Sequence, residues 1–273
     1  MVISSVKTNN LNDLAKKYRK ELFEKFLLIK QGHPGSIFSM MEIMVTLYHG
    51  GFVRFDEKNK VFQDKVMISK GHATATLYPI LRDFGLIKKD DWINWGKENS
   101  LLKVFGNISI PGIDITSGSL GHCVGAGAGM ALYYKRKKID KKVYVIISEG
   151  ELYEGSTWEA LLFAKHHELE NLIIFIDINS LIILGTTDEC LKLDPILNKI
   201  EGLGINCNEV DGHDIDKLID TLNKVENSYK LNCILAKTIK GKGSSIMENK
   251  KNWHYWNSMN EEEIRKTRLE LDK

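Results

Sequence analysis

An apolar run from Val143 to Ile147 ends in Ser148-Glu149-Gly150-Glu151, and a second, from Leu172 to Ile176, ends in Asp177-Ile178-Asn179. A carboxylate at the carboxyl end of one strand and an amide at the end of the next supply hard oxygen ligands for a divalent cation that carries a diphosphate. Gly150 and its neighbouring amides leave space around that anion. In the plainer reading, Glu149 and Glu151 cap open N–H groups at a helix start, and Asp177 and Asn179 satisfy turn amides. The metal reading gains weight because consecutive parallel strands bring their carboxyl ends together.

Imidazoles stand beside glycines in Gly32-His33-Pro34-Gly35 and Gly71-His72, where backbone can approach a ligand closely. A single His is usually an exposed residue or a structural donor; the two together point to substrate contact. Gly125, Gly127 and Gly129 are spaced like part of a nicotinamide-binding loop, but they follow no first strand and read as helix packing.

The elements that must position these groups follow from the apolar pattern. Leu14, Leu22, Phe23, Phe26, Leu27 and Ile29 recur at helical spacing, predicting an amphipathic helix over 11–29. Gln31 to Ser36 reads as an exposed loop before a second helical segment, Met40 to Tyr48. A short strand is expected at Val66–Ile68, then Ser69-Lys70-Gly71-His72 and a helix through Leu77, while Phe84 to Ile115 is irregular and anchored by Trp92 and Trp95. Gly118 to Tyr134 reads as a closely packed helix, its glycines explained by close approach to a neighbouring backbone. Val143–Ile147, a helix over Glu154–His167, Leu172–Ile176 and Asn232–Ala236 predict an α/β fold with a mostly parallel sheet flanked by helices. No repeat or linker divides the 273 residues, so a single domain over 1–273 is expected.

The 38 basic against 36 acidic side chains leave a formal charge of +2, which gives little attraction to a polyanion and argues against nucleic acid as partner. Cys123, Cys190, Cys207 and Cys233 are too scattered for a disulfide framework or zinc site. No apolar block precedes Lys20 and no run reaches the length of a membrane span, so the expected location is the cytoplasm, away from the membrane.

In order along nearly the whole chain, Gly32-His33-Pro34-Gly35, Ser69-Lys70-Gly71-His72, Pro111 to Gly121, Glu149 to Gly155 and Lys237-Thr238-Ile239-Lys240-Gly241-Lys242-Gly243 resemble motifs of the amino-terminal, thiamine-diphosphate-binding portion of transketolase. The length resembles the smaller subunit of a split transketolase. The resemblance implies a thiamine-diphosphate-binding fold and a second chain carrying the pyrimidine-binding and carboxyl-terminal domains, with two copies of each in an α2β2 assembly. It implies thiamine diphosphate and Mg2+ as cofactors, and transfer of a two-carbon ketol unit from a ketose, phosphorylated or not, to an aldose. On matching positions, the metal ligands are Glu149, Asn179 and the carbonyl of Leu181. The cofactor is expected beside His72, Gly118, Leu120, Gly150 and His254. His33, His72 and His254 are expected to handle substrate hydroxyls and protons, and Glu154 to organise the cofactor-activating network at the interface between the two chains.

Departures from the family pattern leave alternatives open. Ser148-Glu149 replaces the usual Gly-Asp, lengthening the metal ligand by a methylene; Phe105-Gly106-Asn107 lacks the His that approaches the ketose donor; and His122 stands where Gln is usual. The alternatives are a thiamine-dependent enzyme acting on a 2-oxo acid or an unusual biosynthetic sugar, and a structural or regulatory subunit that has lost its metal.

Overall fold

A computed structural model describes residues 5–273. In chain order the helices are α1 (Ser5–Ile29), α2 (Pro34–Ser39), α3 (Met41–His49), α4 (Leu77–Asp83), α5 (Lys89–Asn94), α6 (Cys123–Lys137), α7 (Gly155–His166), α8 (Thr187–Cys190), α9 (Ile196–Gly202), α10 (Ile215–Glu226) and α11 (Glu261–Leu271). The strands are β1 (Phe55–Asp56), β2 (Val61–Phe62), β3 (Lys65–Ile68), β4 (Val143–Ser148), β5 (Leu172–Ile178), β6 (Asn206–Asp211) and β7 (Asn232–Lys237). Strands β1 and β2 make an antiparallel hairpin; the other five form one sheet in the order β3-β4-β5-β7-β6, with every neighbouring pair parallel.

The central strands read as unbroken apolar runs because both faces of the sheet are covered. Side chains alternate between two cores. Tyr144, Ile146, Ile173 and Phe175 join Leu22, Phe23, Phe38 and Ile43 on one face. Val143, Val145, Ile147, Leu172, Ile174 and Ile176 meet Val124, Ala128, Leu161 and Ile200 on the other. This sandwich holds the carboxyl ends of β4 and β5 level, with Ser148 opposite Asp177.

Several expectations change. Gln31 to Ser36 is not an exposed loop: helix resumes at Pro34, and His33, Pro34, Gly35 and Ser36 are buried. Proline fits the first helical turn because the N–H it lacks would have no helical partner there. After His72 the chain takes a 3-10 helix, Gly71–Thr76, before α4. Phe84 to Ile115 contains α5; Trp95 is buried in the core and Trp92 packs against it. Helix α6 begins only at Cys123, leaving Gly118 to His122 as a turn. Of its glycines, Gly127 alone needs to be small: a Cβ there would lie 2.5 Å from Val145 Cγ2, whereas Gly125 would make only ordinary contact and Gly129 none. The close neighbour is thus a sheet side chain rather than another backbone.

Candidate functional site

The turns after β4 and β5 open side by side at the carboxyl edge of the sheet. Glu149 begins a 3-10 helix, Glu149–Tyr153, and its Oε2 accepts from Ser180 N at 2.8 Å, which fixes the carboxylate against the turn after β5. In that turn Asn179 donates from Nδ2 to Asp177 Oδ2 at 3.2 Å and accepts at Oδ1 from Leu181 N at 3.3 Å. Asp177 is fully buried and receives bonds from Lys70, Thr238 and, at 2.6 Å, Ser39. Burial opposes its ionisation, but the Lys70 ammonium outweighs that and holds the carboxyl below the usual carboxylate range.

These turns border a cavity of about 380 Å3. His33, His72, Gly118, Leu120, Gly150, Glu154, Asn179, Leu181 and His254, read from the sequence, all line it. Glu149 does not. Its carboxylate turns to Ser180 and the Thr187 side chain, and burial pushes its pKa up. Glu151 ties two neighbouring turns together, accepting from Ser69 Oγ and, at 2.9 Å, from Gly121 N. Each carboxylate therefore reaches beyond its own helix start. Asn107 accepts at Oδ1 from Ser109 N within its own turn, and His122 is exposed; neither lines the cavity.

The three histidines form one cluster, with ring centroids 5.1 Å apart for His33 and His72, 5.6 Å for His33 and His254, and 5.2 Å for His72 and His254. Burial, reinforced by neighbouring positive groups, lowers His33 to about 4 and His254 to about 3, and puts His72 well below its ordinary value. All three are neutral at pH 7, able to take or give a proton at a defined nitrogen. His33 Nδ1 is buried without a hydrogen-bond partner.

The sequence pattern gives no role to Lys240, because lysine is seldom buried. It is only 2% exposed, lines the cavity, and donates from Nζ to Leu181 O at 3.2 Å and to His254 Nδ1 at 3.1 Å. An ammonium only donates, so His254 Nδ1 carries a lone pair and its proton lies on Nε2. Among the described residues Lys240 has no carboxylate partner in hydrogen-bond contact. Burial, then the like charge of Lys70, pulls its pKa down to about 8. The carboxylates of Asp177 and Glu149 offset this only in part and do not bond the ammonium, so an anion in the cavity relieves the remaining cost of burying it. Ser36 and Tyr255 also line the cavity without a sequence signal, being ordinary residue types, and Phe105, from the segment that departs from the family pattern, lines it too. Phe105 stands edge-on to His33 at 5.6 Å and Tyr255 lies 5.0 Å from the same ring.

The residues present fit a diphosphate cofactor. Lys240 supplies the positive charge, and at Gly150 a Cβ would come within 2.8 Å of Ile182 Cγ2 beside the cavity. Among the described residues no three His, Cys, Asp or Glu side chains gather as a metal site. The carboxylate of Glu149, the amide oxygen of Asn179 and the carbonyl of Leu181 are nonetheless the hard oxygen donors that magnesium takes.

Fold and site together define an α/β protein with an anion-binding cavity at the carboxyl ends of parallel strands. The family described as "Transketolase, thiamine diphosphate binding domain" matches residues 13–272, and the chain belongs to the transketolase family. An apulose-4-phosphate transketolase subunit from Phocaeicola vulgatus is 33% identical over 243 residues, covering 88% of this chain and 86% of that one. The 6-deoxy-6-sulfo-D-fructose transketolase subunit SqwG of a Clostridium species is 32% identical over 245 residues, covering 88% and 89%. The solved transketolase of Campylobacter jejuni superimposes with a TM-score of 0.88 at 27% identity, covering all of this chain; this chain spans 43% of that one. No described helix is long and apolar enough to cross a membrane.

Proposed function

We propose that residues 1–273 form one domain that serves as the diphosphate-binding subunit of a thiamine-diphosphate-dependent transketolase in the cytoplasm. A second chain carries the pyrimidine-binding and carboxyl-terminal domains, in an α2β2 assembly. The observation that carries this reading is Lys240, a buried cation with no carboxylate in hydrogen-bond contact among the described residues, in a cavity walled by neutral imidazoles. Similarity along 86% and 89% of two proteins named as transketolase subunits supports a partner chain.

Thiamine diphosphate, when bound, supplies an electron sink for breaking and re-forming the carbon–carbon bond beside a ketose carbonyl. Glu149, Asn179 and the Leu181 carbonyl hold Mg2+, while Lys240 and the Nε2–H of His254 meet the diphosphate. Gly118, Leu120 and Gly150 border the cofactor. His33 and His72, kept neutral, accept and return protons at substrate hydroxyls. Glu154, exposed at the cavity edge, faces the partner and orders the activating network. The donor is a sugar or sugar phosphate. Phe105, 44% exposed at the cavity, offers it an apolar ring instead of a hydrogen bond, which favours an unusual sugar over an ordinary pentose phosphate.

Ketol transfer is to be measured with the isolated chain, the partner, and the two mixed, each with thiamine diphosphate and magnesium. Activity is expected only in the mixture. Full activity of the isolated chain would refute the shared site.

A further inference from the structure

Behind the cavity lies a buried cluster that touches neither substrate nor cofactor positions. Arg19 of α1 pairs both Nη groups with both oxygens of Glu42 in α3, and its Nε and Nη2 also donate to Phe38 O at 3.2 and 2.7 Å. Phe38 belongs to α2, the helix that follows His33 and carries Ser36 into the cavity. On the other side, Glu42 Oε2 lies 3.0 Å from His213 Nδ1, and His213 Nε2 lies 2.8 Å from the backbone N of Ile239, the residue before Lys240.

The direction of each bond is forced. A backbone N–H only donates, so Nε2 of His213 is the acceptor and its proton sits on Nδ1, where it donates to the Glu42 carboxylate. Glu42 is held ionised: burial opposes this, but Arg19 and the bond from His213 outweigh burial and bring its pKa to about 2. One carboxylate therefore selects the imidazole tautomer that can receive Ile239.

The turn bearing His213 has no room to drift. Gly212 N donates to Lys237 O at 2.7 Å, and a Cβ on Gly212 would come within 2.5 Å of Thr238 Cγ2. The Lys240 turn is gripped on its other sides by Thr238 N to Ile178 O, Asn249 N to Lys240 O and Gly241 N to Gly35 O, each at 2.9 Å. The Gly241 bond joins the turn to α2 directly; among the hydrogen bonds of the described residues, the Ile239 bond is the one that ties it to the Arg19–Glu42 pair.

We infer that His213 is a positioning residue: through Ile239 N–H it fixes the Lys240 turn to the Arg19–Glu42 pair behind α2, and Glu42 and Arg19 hold it in the required tautomer. The inference deepens the proposed function and rests on Lys240 as the ligand of the cofactor's diphosphate. His213→Gln keeps an acceptor for Ile239 and a donor for Glu42, whereas His213→Phe keeps ring bulk and neither group.

In the assembled complex, His213→Phe is expected to weaken thiamine diphosphate binding about tenfold, the size of one lost hydrogen bond, and His213→Gln by less than about threefold. Hydrogen exchange followed by mass spectrometry on the full chain is expected to quicken over 237–243 in the Phe variant, with β4 and β5 unchanged. Equal affinity and exchange in all three proteins would overturn the inference, as would a Gln variant as impaired as Phe. Should the Phe variant not fold, the 15N signals of the wild-type imidazole decide: a proton on Nδ1 supports the inference and one on Nε2 overturns it. If the wild-type complex binds no thiamine diphosphate, the proposed function fails, while exchange and imidazole spectra still decide the role of His213.

Discussion

Lys240→Met is expected to weaken thiamine diphosphate binding by the assembled complex about 30-fold to 1000-fold, which corresponds to ~2–4 kcal/mol for a buried charged hydrogen-bond partner. Methionine keeps most of the aliphatic stem and removes only the charge. Among the described residues the buried ammonium hydrogen-bonds to a carbonyl and an imidazole and to no carboxylate, so its loss relieves a desolvation cost in the empty protein. Thermal unfolding without cofactor should therefore occur at the same or a higher temperature than in wild type, while calorimetric titration shows the drop in affinity. That opposition separates a ligand-binding charge from a structural one: a stabilising lysine would lower both. Unchanged affinity in Lys240→Met would remove Lys240 from the site.

Glu149→Ala should abolish the effect of magnesium on the same titration. The wild-type complex is expected to bind thiamine diphosphate at least about 10–100-fold more tightly with magnesium than with a chelator, since even outer-shell changes at metal sites cost that much. In the alanine variant the two curves should coincide. The longer side chain of Glu149 folds back to Ser180 N, so its carboxylate meets the Asn179 turn from beside the cavity rather than from within it. Glu149→Asp tests that geometry. If aspartate creates magnesium-dependent binding that the wild type lacks, this chain is the inactive subunit that the Glu149 departure left open.

The sheet is legible in the sequence where burial is complete. Val143–Ile147, Leu172–Ile176 and Asn232–Ala236 each fall inside an observed strand because a strand covered on both faces is apolar at every position. Strand β6, Asn206-Cys207-Asn208-Glu209-Val210-Asp211, carries no such signal: it lies at the sheet edge, and only Val210 is buried. The polar run Gln31 to Ser36 has the composition of an exposed loop, yet His33 to Ser36 is buried, and the helix that starts at Pro34 places His33 and Ser36 at the cavity. Histidines beside glycines and carboxylates at strand ends mark the site because such residue types are conspicuous there. Lys240 stands in the Lys237 to Gly243 motif without a role of its own, and His213 carries no signal: Lys and His are ordinary in loops, and only the fold reveals which of them is buried against a carbonyl or a backbone amide. The segment Phe105-Gly106-Asn107 reads in the sequence as the loss of a histidine near Asn107, whereas the structure makes Phe105 part of the cavity wall and leaves Asn107 outside it.

The most direct test of the account is a calorimetric titration of thiamine diphosphate, with and without magnesium, into this chain mixed with its partner. Saturable binding that strengthens with magnesium and is weak or lost in the isolated chain is the predicted result. A correctly assembled complex that takes up no thiamine diphosphate at any magnesium concentration would contradict it.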